Sequence, residues 1–140
     1  MALLKHIFTF CAIALVFPLW GNTILKVCNT CAFSTLESAI AEAKKGDVVE
    51  IQEGYYKVQR VEIPVAITLT GKGKVELDGE GEPILLLTND SVVVENLILR
   101  NVFTSYIEDK AAIRIVKSDY CEIRNNKLYD TFFAIYIENS

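Results

Sequence analysis

The sequence predicts an all-β fold, a right-handed parallel β-helix with about 22 residues per coil and a short capping α-helix near its N-terminus. Three observations predict this fold. The second half of the chain contains an internal repeat. Most apolar segments are short and alternate with polar residues. One amphipathic helical segment stands alone before them.

The internal repeat is the main evidence for a solenoid. Residues 84–103 align without a gap on residues 113–132, and a third copy starts at Ala134. The offset is 29 residues between the first copies and 22 from Ile113 to Ile135, so residues 104–110, "TSYIEDK", form a seven-residue insertion in a basic coil of 22. A repeat of this length without hairpin turns predicts a parallel β-solenoid. The expected inward stacks are Leu86 with Ile115 and Ile137, and Val94 with Ile123.

Short alternating segments supply the strands. They are rich in β-branched residues, and turn residues separate them. The chain has no Asn-Gly hairpin signal and no crossover helix between the segments. The predicted strands are residues 48–51, 61–63, 67–69, 75–77, 84–87, 92–94, 97–99, 113–116, 121–123 and 135–137.

A single helix is predicted over residues 35–45. Ser34 and Glu37 have the spacing of a capping box, and Gly46 is placed to end the helix in a left-handed conformation. The apolar face is formed by Leu36, Ala39, Ile40 and Ala43. Because the helix precedes the first predicted strand, we expect it to cover the open end of the first coil.

Two adjacent asparagines mark a predicted corner. Asn125 and Asn126 follow the strand that ends at Ile123, and asparagine tolerates the left-handed conformation of a sharp turn. Asn96 is the equivalent of Asn125 one coil earlier. We therefore expect a stack of turn asparagines along the axis, with Asn126 contributing to stability rather than to a site.

Residues 1–21 are predicted to be a secretory signal peptide, since a short basic start precedes an almost unbroken apolar run. Cleavage is expected after Gly21 or Thr23, and an uncleaved anchor is the alternative. Residues 22–140 are then the N-terminal part of a β-helix domain that is incomplete at its C-terminal end, because residues 135–137 open a new coil. The predicted location is the periplasm.

Composition excludes several function classes. The formal net charge is −4 and no basic run occurs, which argues against a nucleic-acid partner. The only histidine, His6, and the only methionine, Met1, lie in the predicted signal peptide. The mature segment therefore cannot contain a Ser/His/Asp triad or a histidine-ligated metal.

The cysteines have structural and functional interpretations. Cys28 and Cys31 form a CxxC motif, for which an oxidising compartment favours a local disulfide. The alternatives are a soft-metal site, above all for Cu(I), and a redox pair, although the helical context of a redox motif is missing. Cys121 neighbours the inward Ile123 and is interpreted as a small apolar core residue, with a reactive thiol as the alternative.

Two further groups are candidate sites. Asp78, Glu80 and Glu82 could form a calcium site or a catalytic carboxylate pair, but we favour a glycine-rich corner with solvated carboxylates. In the inserted segment, Tyr106, Glu108 and Asp109 are the candidate contact residues for a partner or ligand, since insertions in solenoids tend to lie on the binding side. A plain solvated corner is the alternative.

Four segments resemble a known family: "LESAIAEAKKGDVVEIQEGYY", "PVAITLTGKGKVELDGEG", "TSYIEDKAAIRI" and "DTFFAIYIENS". Together they are similar to the NosD family of nitrous-oxide-reductase maturation proteins, which are periplasmic right-handed parallel β-helices. The resemblance covers roughly residues 24–140, and the last two segments are its more specific part. Family members are several times longer than this chain.

The resemblance implies a non-enzymatic role in building the copper centre of nitrous oxide reductase. The implied partners are an ABC-type ATPase with its membrane subunit, a copper-chaperone lipoprotein and the reductase. It implies no cofactor beyond copper in the assembled pathway, for which the mature segment has only thiols to offer. The competing classes are a polysaccharide lyase, epimerase or hydrolase, and a non-catalytic carbohydrate-binding solenoid. For an enzyme, the residues that could be offered are Tyr55, Tyr56, Arg60, Asp78 and Glu80, but they form no diagnostic motif.

Overall fold

The chain folds as a parallel β-solenoid with one short helix, which confirms the predicted fold class. The structure is a computed structural model that describes residues 22–140. It has about five turns of about 24 residues each. The predicted signal peptide, residues 1–21, lies outside the described residues.

Within residues 22–140 the elements are one helix, α1 (Leu36–Glu42), and eleven strands. The strands are β1 (Ile24–Val27), β2 (Val48–Lys57), β3 (Val61–Ile63), β4 (Thr68–Gly81), β5 (Leu85–Leu87), β6 (Val93–Glu95), β7 (Ile98–Val102), β8 (Ala111–Val116), β9 (Glu122–Arg124), β10 (Lys127–Thr131) and β11 (Phe133–Glu138).

The strands form two sheets in which every pair is parallel. One sheet has the order β1-β2-β4-β6-β9. In the same sheet, β7 pairs with the later part of β4, and β10 pairs with β7. The second sheet has the order β3-β5-β8-β11. Most pairs therefore join equivalent segments of successive coils. In the last step Ile113 pairs with Ile135 and Ile115 pairs with Ile137, which is the predicted offset of 22.

The expected stack of Leu86 on Ile115 is wrong. Leu87 pairs with Ile115, and Leu86 pairs with Arg114. The ungapped alignment fails because the later coil uses one residue more to reach the next sheet, where Val94 does pair with Ile123 as predicted. A shift of one residue exchanges the two faces of a strand, so Leu87 is fully buried and Leu86 lies half-buried on the outer face.

The core is a set of aliphatic columns that run along the solenoid axis. Leu77 pairs with Leu99, which pairs with Leu128, and the first two side chains are fully buried. Inward residues become more exposed in the last coil: Ile135 and Ile137 are 40% and 61% exposed, although their partners in β8 are buried.

The helix is shorter than predicted, and a different residue caps it. Thr35 is the N-cap, and its hydroxyl accepts a hydrogen bond from the amide of Ser38 at 3.2 Å. The capping box of Ser34 and Glu37 is therefore wrong by one residue. Three residues of the predicted apolar face are confirmed, because Leu36, Ala39 and Ile40 are buried, whereas Ala43 is the C-cap and only partly buried.

The helix ends at Glu42 because hydrogen bonds to an aspartate side chain hold the following residues in a turn. The Asp47 carboxylate accepts hydrogen bonds from the amides of Lys44, at 2.8 Å, and Thr23, at 3.0 Å. Gly46 does adopt a left-handed φ of 91°, but its amide donates to the carbonyl of Ala66 rather than ending the helix. The prediction that the helix reaches residue 45 is therefore wrong.

A strand that the sequence does not predict precedes the helix. β1 pairs with β2, so the helix does not come before the first strand. The signal was weak because β1 has only four residues, of which Leu25 and Val27 face the core. The buried side chains of α1 join the same core cluster as β1 and β2, which places the helix at this end of the solenoid.

The corner asparagines behave partly as predicted. Asn125 and Asn96 have φ of 53° and 57°, so both adopt the left-handed conformation at equivalent corners. The axial hydrogen bond from Asn96 goes to the Thr70 hydroxyl, at 3.2 Å, and not to another asparagine.

Asn126 joins two coils through hydrogen bonds between its side chain and main-chain groups of the preceding coil. Its side-chain oxygen accepts from the amide of Leu97 at 3.0 Å, and its amide donates to the carbonyl of Val94 at 2.8 Å. We expect Asn126→Ala to lower the free energy of unfolding by about 1–3 kcal/mol, because it leaves both groups without this partner. Urea unfolding followed by circular dichroism measures the effect. The exposed Asn29 provides the control, since Asn29→Ala should have almost no effect, and equal stability of the two variants would refute the prediction.

Candidate functional site

The predicted insertion forms an ordered loop between β7 and β8. Its tip is Tyr106 and Ile107, whose side chains are 99% and 98% exposed. Of the three predicted contact residues, Tyr106 and Asp109 are exposed, whereas Glu108 turns back toward the solenoid. The backbone is held by the Ser105 hydroxyl, which accepts from the amides of Ile107 and Glu108.

Ion pairs attach this loop to the coils beneath it. Arg60 donates to both oxygens of Glu108 at 2.8 Å and also binds Glu82 at 2.6 Å. Lys110, at the end of the loop, binds the other oxygen of Glu82 at 2.8 Å. These four residues are called the loop anchor below. The bidentate geometry favours one orientation of the loop, even though each pair is partly exposed.

The loop anchor is a coupled charge network. Hydrogen bonding by Arg60 lowers the pKa of Glu108, and hydrogen bonding by Lys110 and then Arg60 lowers that of Glu82. The pKa of Arg60 is raised by the same two carboxylates, Glu108 first. Arg60, Glu82 and Glu108 are therefore charged at neutral pH, so neutral conditions do not disrupt their ion pairs.

A groove of about 340 Å³ lies beside the loop anchor. Arg60 and Glu108 form one side, and Leu86 and Arg114 line the outer surface of β5 and β8. The Arg114 side chain pairs with Glu138 and lies 5.4 Å from the ring of Tyr136. The groove thus combines an apolar floor with charged walls, a composition typical of a surface that recognises a partner.

The three carboxylates of the acidic corner do not converge. Glu80 pairs with Lys57 at 2.8 Å, and Glu82 belongs to the loop anchor. Asp78 is only 2% exposed, so the favoured interpretation of solvated carboxylates is wrong for this residue. It is buried because side chains from neighbouring coils close over it.

Asp78 accepts hydrogen bonds from side chains about one coil away on each side and from one nearby backbone amide. Its oxygens accept from the hydroxyl of Tyr55 at 2.6 Å, the side-chain amide of Asn101 at 3.0 Å and the backbone amide of Glu80 at 2.7 Å. Tyr55, Asp78 and Asn101 are spaced by 23 residues, close to one coil. This equal spacing is a signal in the sequence from which the cluster of the three side chains could have been predicted.

The pKa of Asp78 reflects two opposing effects. Burial raises it, but the hydrogen bonds from Tyr55, Glu80 and Asn101, together with the charge of Arg100, lower it below its usual value. The hydrogen bond to Asp78 in turn raises the pKa of Tyr55. The carboxylate is therefore ionised at neutral pH.

The remaining residues considered for an enzyme have separate positions. Tyr56 packs against the core, and its hydroxyl donates to the carbonyl of Gln52 at 2.8 Å. Arg60 is part of the loop anchor and Glu80 pairs with Lys57. Of the five residues offered by the sequence, only Tyr55 and Asp78 are joined by a hydrogen bond between their side chains.

The cysteines lie apart from both clusters. Cys28 and Cys31 are joined in a disulfide with Cα atoms 4.9 Å apart, and a disulfide leaves neither thiolate free to bind a metal. Cys121 has a free thiol that is partly buried against the core. In the described part of the chain, no three histidine, cysteine, aspartate or glutamate side chains are grouped to hold a metal ion.

Comparisons with protein-family models, curated proteins and solved structures found no match to this chain. Among residues 22–140, no helix is long and apolar enough to cross a membrane.

Proposed function

We propose that this chain is a non-catalytic, periplasmic accessory protein in the maturation of the copper centre of nitrous oxide reductase, acting with an ABC transporter. The observation that carries the proposal is the pair of almost fully exposed apolar side chains, Tyr106 and Ile107, at the tip of an anchored loop. In this role the solenoid is a rigid support that presents the loop to a partner protein.

Exposure on an anchored loop favours protein binding. Two adjacent exposed side chains, one aromatic and one aliphatic, offer a partner an apolar contact, and tyrosine is enriched among the residues that dominate interface energies. The loop anchor reduces the entropy lost when a partner docks, because the loop is already ordered by Arg60 and Glu108.

The resemblance to the NosD family supports the same surface. Its two more specific segments, residues 104–115 and 130–140, meet beside the groove, where Arg114 of the first pairs with Glu138 of the second. The segments that carry the resemblance therefore build the loop and the groove wall. We propose that the loop tip docks on the ABC transporter.

Copper enters this proposal through the partners. The thiols of Cys28 and Cys31 are joined to each other, so we propose that the copper-chaperone lipoprotein carries the metal and that this chain brings the components together. Anaerobic titration with Cu(I) before and after reduction of the disulfide tests this assignment. Tight binding by the oxidised protein would contradict it.

The loop tip is tested by Tyr106→Ser combined with Ile107→Ser in the full-length exported protein. We expect binding to the transporter to weaken at least about tenfold, because truncation of an interface anchor costs about 2 kcal/mol or more. The reductase should then be exported with its copper centre largely unloaded, as measured by copper content and nitrous oxide turnover. Tyr120, which is 86% exposed at a different corner, provides the control Tyr120→Ser. A fully loaded reductase in the double variant would refute the assignment of the loop tip.

The competing class is a polysaccharide-active solenoid, favoured by the buried Asp78 beside Tyr55. Uronate polymers incubated with the full-length protein separate the two functions. The accessory role predicts no unsaturated or shortened product. A product that disappears in Asp78→Asn would favour the enzyme.

A further inference from the structure

Two exposed aromatic side chains lie at the base of the inserted loop, where the proposed docking role leaves them unused. Phe103 directly precedes the loop and is 60% exposed, and Phe132 in the next coil is 37% exposed. They occupy equivalent corners: the amide of Phe132 donates to the carbonyl of Val102 at 3.0 Å, and the amide of Phe103 donates to that of Gly81, one coil earlier, at 3.2 Å. The two residues therefore follow one another along the solenoid axis beside the loop.

Both rings are supported by the solenoid. A Cβ atom at Gly81 would come within 2.6 Å of the Phe103 ring, so glycine alone leaves room for the ring at this place. The Phe132 ring packs on that of Phe133, with the ring centroids 4.5 Å apart. Rings that are held in place and still exposed lose little conformational entropy when a partner covers them.

The free charges beside these rings are acidic. Asp109 is an exposed residue of the loop, and Asp130, exposed near the end of β10, lies two positions before Phe132. In the described part of the chain neither carboxylate takes part in an ion pair. The cations of the loop anchor are already paired with its own carboxylates. Phe103, Phe132, Asp109 and Asp130 are called the loop face below.

The two kinds of side chain in the loop face select the same chemistry. The face of an aromatic ring carries negative electrostatic potential and attracts a cation, and an unpaired carboxylate attracts the same group. Arginine and lysine add an apolar stem that can lie along a ring while the charged head reaches a carboxylate. An anionic partner, including the anionic lipids of a membrane surface, is repelled by the two carboxylates.

We propose that the loop face binds a basic segment of the protein on which the loop tip docks. Arginine or lysine side chains of that segment pair with Asp109 and Asp130, and their stems rest on Phe103 and Phe132. This inference rests on the proposed docking function and adds the charge of the partner to it. The loop tip supplies apolar contact, whereas the loop face supplies orientation and a faster encounter, since complementary charges act mainly on specificity and association rate.

The association rate of the full-length exported protein with the purified transporter tests the charges. We expect the rate to fall about tenfold or more between about 0.05 and 0.5 M sodium chloride, because salt screens attraction between exposed charges. Asp109→Asn combined with Asp130→Asn should slow association about fivefold or more at low salt and flatten the salt dependence. Asparagine keeps the size of the side chain and tolerates the left-handed φ of 52° at Asp130.

The matched control is Glu42→Gln combined with Glu53→Gln. It makes the same change in charge at two exposed residues of α1 and β2, outside the loop face. We expect its association rate and salt dependence to equal those of the wild type. Circular dichroism verifies that each variant is folded. If a folded loop-face variant matches the wild type at every salt concentration, the loop face is overturned and the loop tip is untouched.

A second measurement needs no transporter. A short peptide of alternating leucine and arginine is titrated into the full chain, and a peptide with glutamate in place of arginine is the control. We expect the basic peptide to perturb the ring resonances of Phe103 and Phe132, and the acidic peptide to have no effect. An equal response to both peptides, or none to the basic one, would overturn the proposal. Binding to phosphatidylglycerol vesicles without a response to the basic peptide would overturn the choice of a protein segment.

The loop tip and the loop face fail separately in these experiments. Normal transporter binding by Tyr106→Ser combined with Ile107→Ser contradicts the docking role of the tip. The peptide titration does not depend on that result, because it reports on Phe103 and Phe132 directly.

Discussion

Leu87→Ala is expected to lower the free energy of unfolding by about 2–5 kcal/mol, whereas Leu86→Ala should cost about 1 kcal/mol or less. The two leucines are adjacent in the sequence and chemically identical. Leu87 is fully buried between Ile63 and Ile115, and its truncation leaves a cavity in the column. Leu86 faces outward beside Arg114, where solvent replaces the lost atoms.

Urea unfolding of both variants, followed by far-ultraviolet circular dichroism, measures the difference directly. The comparison tests the register of the second sheet, because the ungapped repeat alignment places Leu86 inside and the structure places Leu87 there. A larger loss for Leu86→Ala would show that the β5–β8 pairing is shifted by one residue.

Asp78→Asn is expected to destabilise the solenoid most strongly near neutral pH, by about 2–3 kcal/mol. The charged carboxylate accepts from Tyr55, Asn101 and the amide of Glu80, and an asparagine presents two donors where only acceptors fit. The native pKa of Asp78 is lowered relative to the unfolded chain. Its contribution to stability is therefore present above the ordinary aspartate pKa of about 4 and is lost as the pH falls through the lower native value.

Unfolding of the wild type and of Asp78→Asn at a series of pH values between 7 and 2 tests both parts of this prediction. The stability difference should be largest at pH 7 and should shrink below about pH 4, because the unfolded chain then binds the proton first, and it should be lost once the native carboxyl group is protonated as well. Asp109→Asn is the control, because Asp109 is exposed in the inserted loop. A difference that stays constant across the whole range would contradict the role assigned to the ionised form of Asp78.

The inserted loop was predictable as a feature, but its anchoring was not. A seven-residue excess between two copies of a repeat identifies an insertion without any structural information. The loop anchor joins Arg60 to Glu108, which are 48 residues apart and lie in different coils. Such a contact depends on which turns of different coils stack on one another along the axis, and the local sequence pattern does not predict that stacking.

The acidic corner shows a similar division. The sequence placed Asp78 at a glycine-rich bend, and strand alternation turns it outward beside the buried Leu77. Its burial arises because Tyr55 and Asn101, each about one coil away, close over it. An outward-facing residue in a solenoid can thus be buried by its neighbours along the axis, and alternation within one strand does not report that.

The sequence by itself determined the fold class, the 22-residue offset of the last coil, the inserted loop and the apolar face of the helix. These features follow from the periodicity of side chains and from the turn preferences of single residues, which are local properties. Only the tertiary structure decided the register of Leu86 and Leu87, the early end of the helix at Glu42 and the environment of Asp78. The register and the environment of Asp78 depend on how many residues the chain uses at its corners, because one residue more or less shifts every contact between successive coils. The end of the helix depends on the hydrogen bonds that Asp47 accepts from Lys44 and from Thr23, which is 24 residues away in the sequence.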